Sequence, residues 1–327
     1  MKNSTAPNRK TGRMIAKNLI VLFAVALAGF CGIQAWFTDN RSAEANGIEV
    51  ECQAPDGIEI AVVGHDAPAP TEYTKGNITL NKTNYPFLEK LQLTEITGDG
   101  TFFRKPALIQ SGGQAHVDTK AEWSEPTANE HYLSFDLYIR SKSQYNISIG
   151  KKSTIKPDAP QLTTQDGTGI KNKSKYGNFS RDSVVGAVRF SVVDYKSAPL
   201  SKKLLWLPAP NILLKQTTDE YTLSDDMPSG ESYSHVYYDT NRVQHTVSST
   251  DVDKAFVVNN DGFDGGKFTY ELGQNQNIAQ LNKSSENDQF YSAMVTCNMW
   301  IEGEDAEARL ALVNGKFKVN LVLTKES

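Results

Sequence analysis

The stretch His131-Tyr132-Leu133-Ser134-Phe135-Asp136-Leu137-Tyr138-Ile139-Arg140 decides the fold. Along an extended chain Leu133, Phe135, Leu137 and Ile139 point one way, and Tyr132, Ser134, Asp136, Tyr138 and Arg140 point the other. Side chains alternate across a strand with a period of two. The stretch therefore predicts a strand with one buried and one wet face, the habit of antiparallel sheets. Ser141-Lys142-Ser143-Gln144 then leads to residues 145–150, which predicts a hairpin.

The same period recurs on both sides. Residues 47–53 read as a strand stopped by Pro55-Asp56-Gly57, a strong turn signal. Ile58, Ile60 and Val62 carry the next strand, and residues 65–76, rich in Pro and Thr, read as a loop. Residues 88–96 alternate and are turned by Gly98-Asp99-Gly100. Residues 184–193 are apolar at nearly every position, which predicts a strand covered on both faces. Strands are also expected around 204–207, 212–214, 254–258, 267–272 and 290–301. Residues 304–311 favour a short helix, and Asn314-Gly315 is a hairpin-type turn. Phe317, Val319, Leu321 and Leu323 alternate to the end of the chain. Many short strands with Gly, Pro and Asn punctuation predict an all-β antiparallel sandwich. It forms one domain over residues 47–327, with long loop insertions near 151–182 and 216–250.

The first 35 residues have a different character. Lys2, Arg9, Lys10, Arg13 and Lys17 make a basic n-region within 1–18, and no acidic residue precedes Asp39. The apolar run 19–33 is shorter than the roughly 20 residues needed to span a bilayer core. It reads as the h-region of a helical signal peptide, so the chain would meet a membrane only through this segment before cleavage. Cys31 follows Phe30, with Ala28 three positions before it, which does not fit a lipobox. Removing residues 1–35 takes five basic residues from the 34 and leaves 29 against 38 acidic ones, a net charge of −9. That balance argues against nucleic acid or an anionic membrane as partner, since both need a basic footprint. No sorting motif precedes the end of the chain, so partners are expected to hold the product at the surface, or it is released.

Two cysteines lie beyond the signal. Cys52 shares a strand face with Ile48 and Val50, and Cys297 shares one with Val295, Met299 and Ile301. Both would point inward, as one disulfide or as two buried thiols acting as small hydrophobes.

Signals for catalysis are sparse. His65, His116, His131, His235 and His245 form no HExxH pair, and there is neither a GxSxG elbow nor a phosphate-cradling glycine loop. No enzymatic activity, resident metal or cofactor is expected. Residues 259–266 bring Asn259, Asp261 and Asp264 close together. Their oxygens suit Ca²⁺ as hard ligands, but the calcium-loop spacing is not met, and a turn-rich hairpin tip explains the same residues. Tyr233, Tyr237 and Tyr238 around His235 read as a carbohydrate-stacking or partner-binding surface or as packing of a two-faced strand, and Trp123, Trp206 and Trp300 as core or interface residues.

At residues 32–50 a small residue, the aromatic pair Trp36-Phe37, then Thr38-Asp39, a polar spacer and an alternating strand follow one another. This pattern resembles the TasA/camelysin group, Gram-positive secreted proteins processed by a SipW-type signal peptidase. Phe135-Asp136-Leu137-Tyr138, Gly177-Asn178-Phe179-Ser180-Arg181-Asp182 leading to Gly186-Ala187-Val188-Arg189, Trp206-Leu207-Pro208 and Trp300-Ile301-Glu302-Gly303 resemble the large clostridial proteins that carry this signal. Trp36 stands where that group more often has a small residue or Tyr. The resemblance implies a jelly-roll sandwich, cleavage at Ala35-Trp36 and a place in the cell surface or extracellular (biofilm) matrix. Self-association or other matrix proteins are the partners implied. Residues 36–46 would then be a mature N-terminal segment able to act as a donor strand, with Trp36 and Phe37 as its anchors. A secreted adhesin or glycan-binding module is the alternative, and a secreted peptidase a more distant one.

Overall fold

The computed structural model describes residues 48–111, 114–157, 171–172, 187–207, 213–217, 220–224, 236–246, 256–258, 270–303 and 317–326. All of them belong to the unit Ser42–Ser327. The signal segment 1–35, the segment 36–46, the loop 259–266 and residues 304–316 lie outside the described residues.

The described chain is almost wholly strand. In order these are β1 (Ile48–Gln53), β2 (Ile58–Gly64), β3 (Asn77–Leu80), β4 (Glu95–Gly98), β5 (Phe103–Arg104), β6 (Leu108–Ser111), β7 (Gln114–Val117) and β8 (Leu133–Ser141). There follow β9 (Asn146–Ile149), β10 (Thr154–Pro157), β11 (Lys171–Asn172), β12 (Val188–Asp194), β13 (Ser201–Leu207), β14 (Leu213–Thr217) and β15 (Glu220–Ser224). The last are β16 (Val236–Tyr238), β17 (Gln244–Thr246), β18 (Phe256–Val258), β19 (Tyr270–Glu271), β20 (Gln276–Gln280), β21 (Tyr291–Glu302) and β22 (Phe317–Glu326).

The first sheet is organised around β22. Its first half pairs in parallel with β1, from Ile48↔Phe317 to Gln53↔Val322, and β1 carries β3 antiparallel on its far side. The other flank of β22 takes β10 and then β9, with β19 and β20 beyond them. The second sheet runs β2, β8, β21, β12, β13, β18, with β4 and β5 continuing beside the end of β21. Three small sheets stand apart from these two, β6–β7, β16–β17 and β11–β15–β14.

Successive strands change sheets as in a jelly roll: β1 first, β2 second, β3 first, then β8 second and β9 first, and finally β20, β21 and β22 in alternation. At each side of the sandwich one stretch pairs with both sheets. Thr74 bridges Ile60 of β2 before the chain enters β3 beside β1. Asn282 bridges Ser292 of β21 just after β20 has paired with β9. Such crossings form the corners of packed sheets.

Between the sheets lies one core. Phe135, Leu137, Phe190, Trp206, Met299 and Ile301 from the second sheet meet Val50, Ile78, Ile149, Phe317, Val319 and Leu321 from the first. The alternation of β22 is as expected, with Phe317, Val319, Leu321 and Leu323 buried and the residues between them only partly so.

Several expectations change. β8 has no wet face over its first half, because Ser134 and Asp136 are buried as well. On the outer face of the same sheet lies a second cluster of Ile96, Phe103, Leu205, Leu207 and Trp300, with Tyr132 and Tyr237 packed against it. Periodicity reports which residues share a face, not what a distant loop lays over it. Residues 145–150 make no hairpin with β8, since β9 pairs with β20 and β22 of the other sheet. Residues 88–96 are mostly not strand. A 3₁₀ turn at Pro86–Leu88 precedes an irregular run that buries Leu88, Leu91 and Leu93. The intervals 151–182 and 216–250 are not loops throughout, for they hold β10, β11 and β15 to β17. The strands flanking 259–266 do not form a hairpin either: β18 joins β13 in the second sheet and β19 joins β10 in the first. The sheets are also not purely antiparallel, since β1–β22, β13–β18 and β21–β4 run parallel.

Candidate functional site

A polar belt crosses the outer face of the second sheet. It arises because β8, β21 and β12 place Ser134 and Asp136, Thr296 and Asn298, and Ser191 on the same side. The Thr296 hydroxyl donates to Asp136 Oδ1 at 2.7 Å, and His65 Nδ1 donates to the same oxygen at 2.9 Å. Ser134 Oγ donates to Asn298 Oδ1 at 2.7 Å, and Ser191 Oγ donates to the Gly100 carbonyl at 2.7 Å. Tyr195 lies against His65, with ring centroids 5.3 Å apart, and its hydroxyl donates to the Thr101 carbonyl at 3.0 Å. These bonds satisfy groups that would otherwise be costly to bury.

The electrostatics follow from this packing. The hydrogen bond to Asp136 raises the His65 pKa above its ordinary value, against the opposing effect of burial. Burial pushes the Tyr195 phenol up to about 12. Burial also works against the Asp99 carboxylate, but Lys202 at 3.1 Å and bonds from Thr101 and Phe102 outweigh it and hold Asp99 below its usual range. An imidazole oriented by a buried carboxylate is half of an acid–base device. Here the hydroxyls of Thr296, Ser134 and Ser191 are directed at Asp136, Asn298 and Gly100, whereas His65 Nε2 faces the exposed Asp66 at 3.6 Å. Among the described residues no three His, Cys, Asp or Glu side chains gather to hold a metal.

A second charged group is sealed where β21 ends. Glu302 has no exposed surface and Arg189 of β12 only 2%. Glu302 Oε2 accepts from Arg189 Nη1 at 3.2 Å, Trp300 Nε1 at 3.2 Å and the Gly98 amide at 3.4 Å. Among the described residues, Oε1 has no hydrogen-bond partner. Burial pushes the Glu302 pKa up to about 7 against the pull of Arg189, Thr97 and Trp300.

Next to these lies an aromatic group brought together from afar. Trp123 packs edge-on to Tyr238, with the Arg242 guanidinium 5.8 Å from its ring centre. Tyr237 stacks on His245 and meets Phe102 edge-on. Asp239, at the start of the β16–β17 turn, reaches His245 Nε2 at 3.0 Å. The rings cover one another, and in doing so pin this hairpin over the second sheet.

The residues expected from sequence to carry function fall as follows. Ala35, Trp36, Phe37, Asn259, Asp261 and Asp264 lie outside the described residues. Cys52 and Cys297 are both fully buried free thiols, in β1 and β21 of opposite sheets. Trp123 and Tyr237 are partly exposed at the hairpin cluster, whereas Tyr238 is buried. The His65–Asp136 and Arg189–Glu302 pairs were not anticipated. Of the four, only Arg189 gave a signal, a charged residue inside an otherwise apolar run, where an unpaired buried charge would be untenable.

The sheet edge next to the N-terminal strand is the other feature relevant to function. β3 ends the first sheet, with Ile78 and Leu80 turned inward and Asn77 exposed. Asn84 Nδ2 donates to the Thr79 carbonyl at 3.3 Å, and Asn77 Nδ2 donates to Glu51 Oε1 at 2.8 Å. A four-residue end strand with one carbonyl covered is a blunted edge.

Comparison of the chain with protein-family models, with curated proteins and with solved structures gives no match. The fold and its sites define an all-β sandwich in which much of the second sheet, β12 above all, is buried on both faces.

Proposed function

We propose that the protein is an exported, non-enzymatic structural component of the cell surface or extracellular matrix, whose copies join by strand addition after its signal segment is removed. The observation that carries this reading is the position of β1. It lies one strand in from the end of the first sheet, between β22 and the blunted edge strand β3. The segment 36–46 is continuous with it and carries Trp36 and Phe37. A short aromatic segment tied to a strand near a sheet edge suits main-chain pairing with a neighbouring copy, with pockets for the two rings setting the register. The bonding of the polar belt supports a non-catalytic role, since its hydroxyls serve the fold. Export, SipW-type processing and the matrix setting rest on the resemblance of the N-terminal pattern.

The test is N-terminal sequencing of the secreted product with size-exclusion chromatography, for the natural chain and for one lacking residues 36–46. A start at Trp36 and concentration-dependent assemblies that the deletion abolishes are expected. Equal monomer populations with and without the segment would overturn strand addition. Glycan binding has a specific observation in its favour, the meeting of Trp123, Tyr238 and Arg242.

A further inference from the structure

We propose that Cys52 and Cys297 become joined, as the chain folds in an oxidising compartment, into a disulfide that ties the two sheets through their shared core. Cys52 sits in β1 with Leu321 on one side and Ile78 on the other. Cys297 sits in β21 between Phe135 and Val192. All six side chains belong to one core cluster, and neither cysteine has any exposed surface. Each cysteine thus lies on the inward face of its strand, Cys297 in the middle of the second sheet and Cys52 one strand in from the end of the first.

Burial raises the Cys297 pKa well above its ordinary value, and the Cys52 thiol adds to the shift. Burial likewise pushes Cys52 up to about 12. Thiol exchange proceeds through the thiolate, so two sealed thiols of this kind react poorly once the core has closed. The reaction therefore belongs to folding. Two S–H bonds break and one S–S bond forms. The two electrons and two protons pass to a disulfide oxidant such as oxidised glutathione, which leaves as two thiols. Packed sheets stand about 10 Å apart and disulfides draw Cα atoms to roughly 4.4–6.8 Å, so closing the bridge would draw the two sheets together locally, as in other sandwiches with an inter-sheet bridge. The bridge does not depend on how the protein assembles.

To test it, the full chain carrying Cys31→Ser is refolded in detergent with a mixture of oxidised and reduced glutathione, then digested without reduction. Peptides linking Cys52 to Cys297, and an intact mass lighter by two hydrogens, are the expected result. The urea midpoint should fall when reductant is added, and should not respond to reductant in the Cys52→Ala, Cys297→Ala double variant. Two thiols open to alkylation on denaturing the oxidant-refolded chain would overturn the proposal, as would covalent dimers through either cysteine.

Discussion

Glu302 makes the stability of this sandwich depend on pH in a direction that can be worked out in advance. Its carboxyl is fully buried, and burial pushes its pKa to about 7 from an ordinary 4.5. Between those values the folded chain holds a proton that the unfolded chain has released. Stability contributed by this group is therefore complete below pH 4.5 and is lost as the pH rises through about 7. The interval, at about 1.36 kcal/mol per pH unit, amounts to roughly 3 kcal/mol. Glu302→Gln removes the titration while keeping an acceptor in place for Trp300 and the Gly98 amide. Urea unfolding of the natural chain and the variant from pH 4.5 to 8 isolates the effect, because the difference between the two curves cancels the other groups. That difference should move by about 3 kcal/mol against the natural chain across the range. Arg189→Met removes a pull that favours the carboxylate, so the decline should shift to higher pH. Parallel curves for the natural chain and Glu302→Gln would refute the reasoning, since they would mean that the carboxyl titrates alike in both states.

His65 should show half-protonation above 6.5 in an NMR titration, because Asp136 favours its charged form. The stability it adds is present below pH 6.5 and fades as the pH rises through the folded value, and His65→Gln should flatten that part of the profile. Gly98→Ala should destabilise by about 1–3 kcal/mol in thermal unfolding. A Cβ at that position would lie 2.3 Å from the Phe102 carbonyl oxygen and 2.8 Å from the Phe103 ring, so the β4–β5 turn has to move.

Much of the sandwich was legible in the sequence because strand periodicity is local. β1, β2, β8, β12, β21 and β22 all stand close to where alternation or continuous apolarity places them. Partner choice is not local, and that is where the reading failed. Nothing within residues 141–150 tells the chain to leave the second sheet and pair β9 with β22. The wet face expected for β8 failed for the same reason: Ser134 and Asp136 are met by His65, Thr296 and Asn298, all remote in sequence. Asp136 looked like solvent-facing alternation, and only its partners reveal it as buried. The inward orientation of Cys52 and Cys297 was readable from the faces they share; whether they are joined was not.

The parallel pairing of β1 with β22 has a kinetic consequence. The slot for residues 48–53 is bounded on one side by β3, which emerges soon after them, and on the other by residues 317–322 near the end of the chain. Until synthesis reaches Phe317, β1 has a neighbour on one flank only, and the middle of the first sheet cannot form. Loop closure over so long a separation is slow. The apolar side chains of Val50 and Cys52 therefore wait, unshielded, for nearly the whole chain. Any helper that holds the nascent protein would act in that interval, and a truncation that removes only the last ten residues would leave the opening strand without its place.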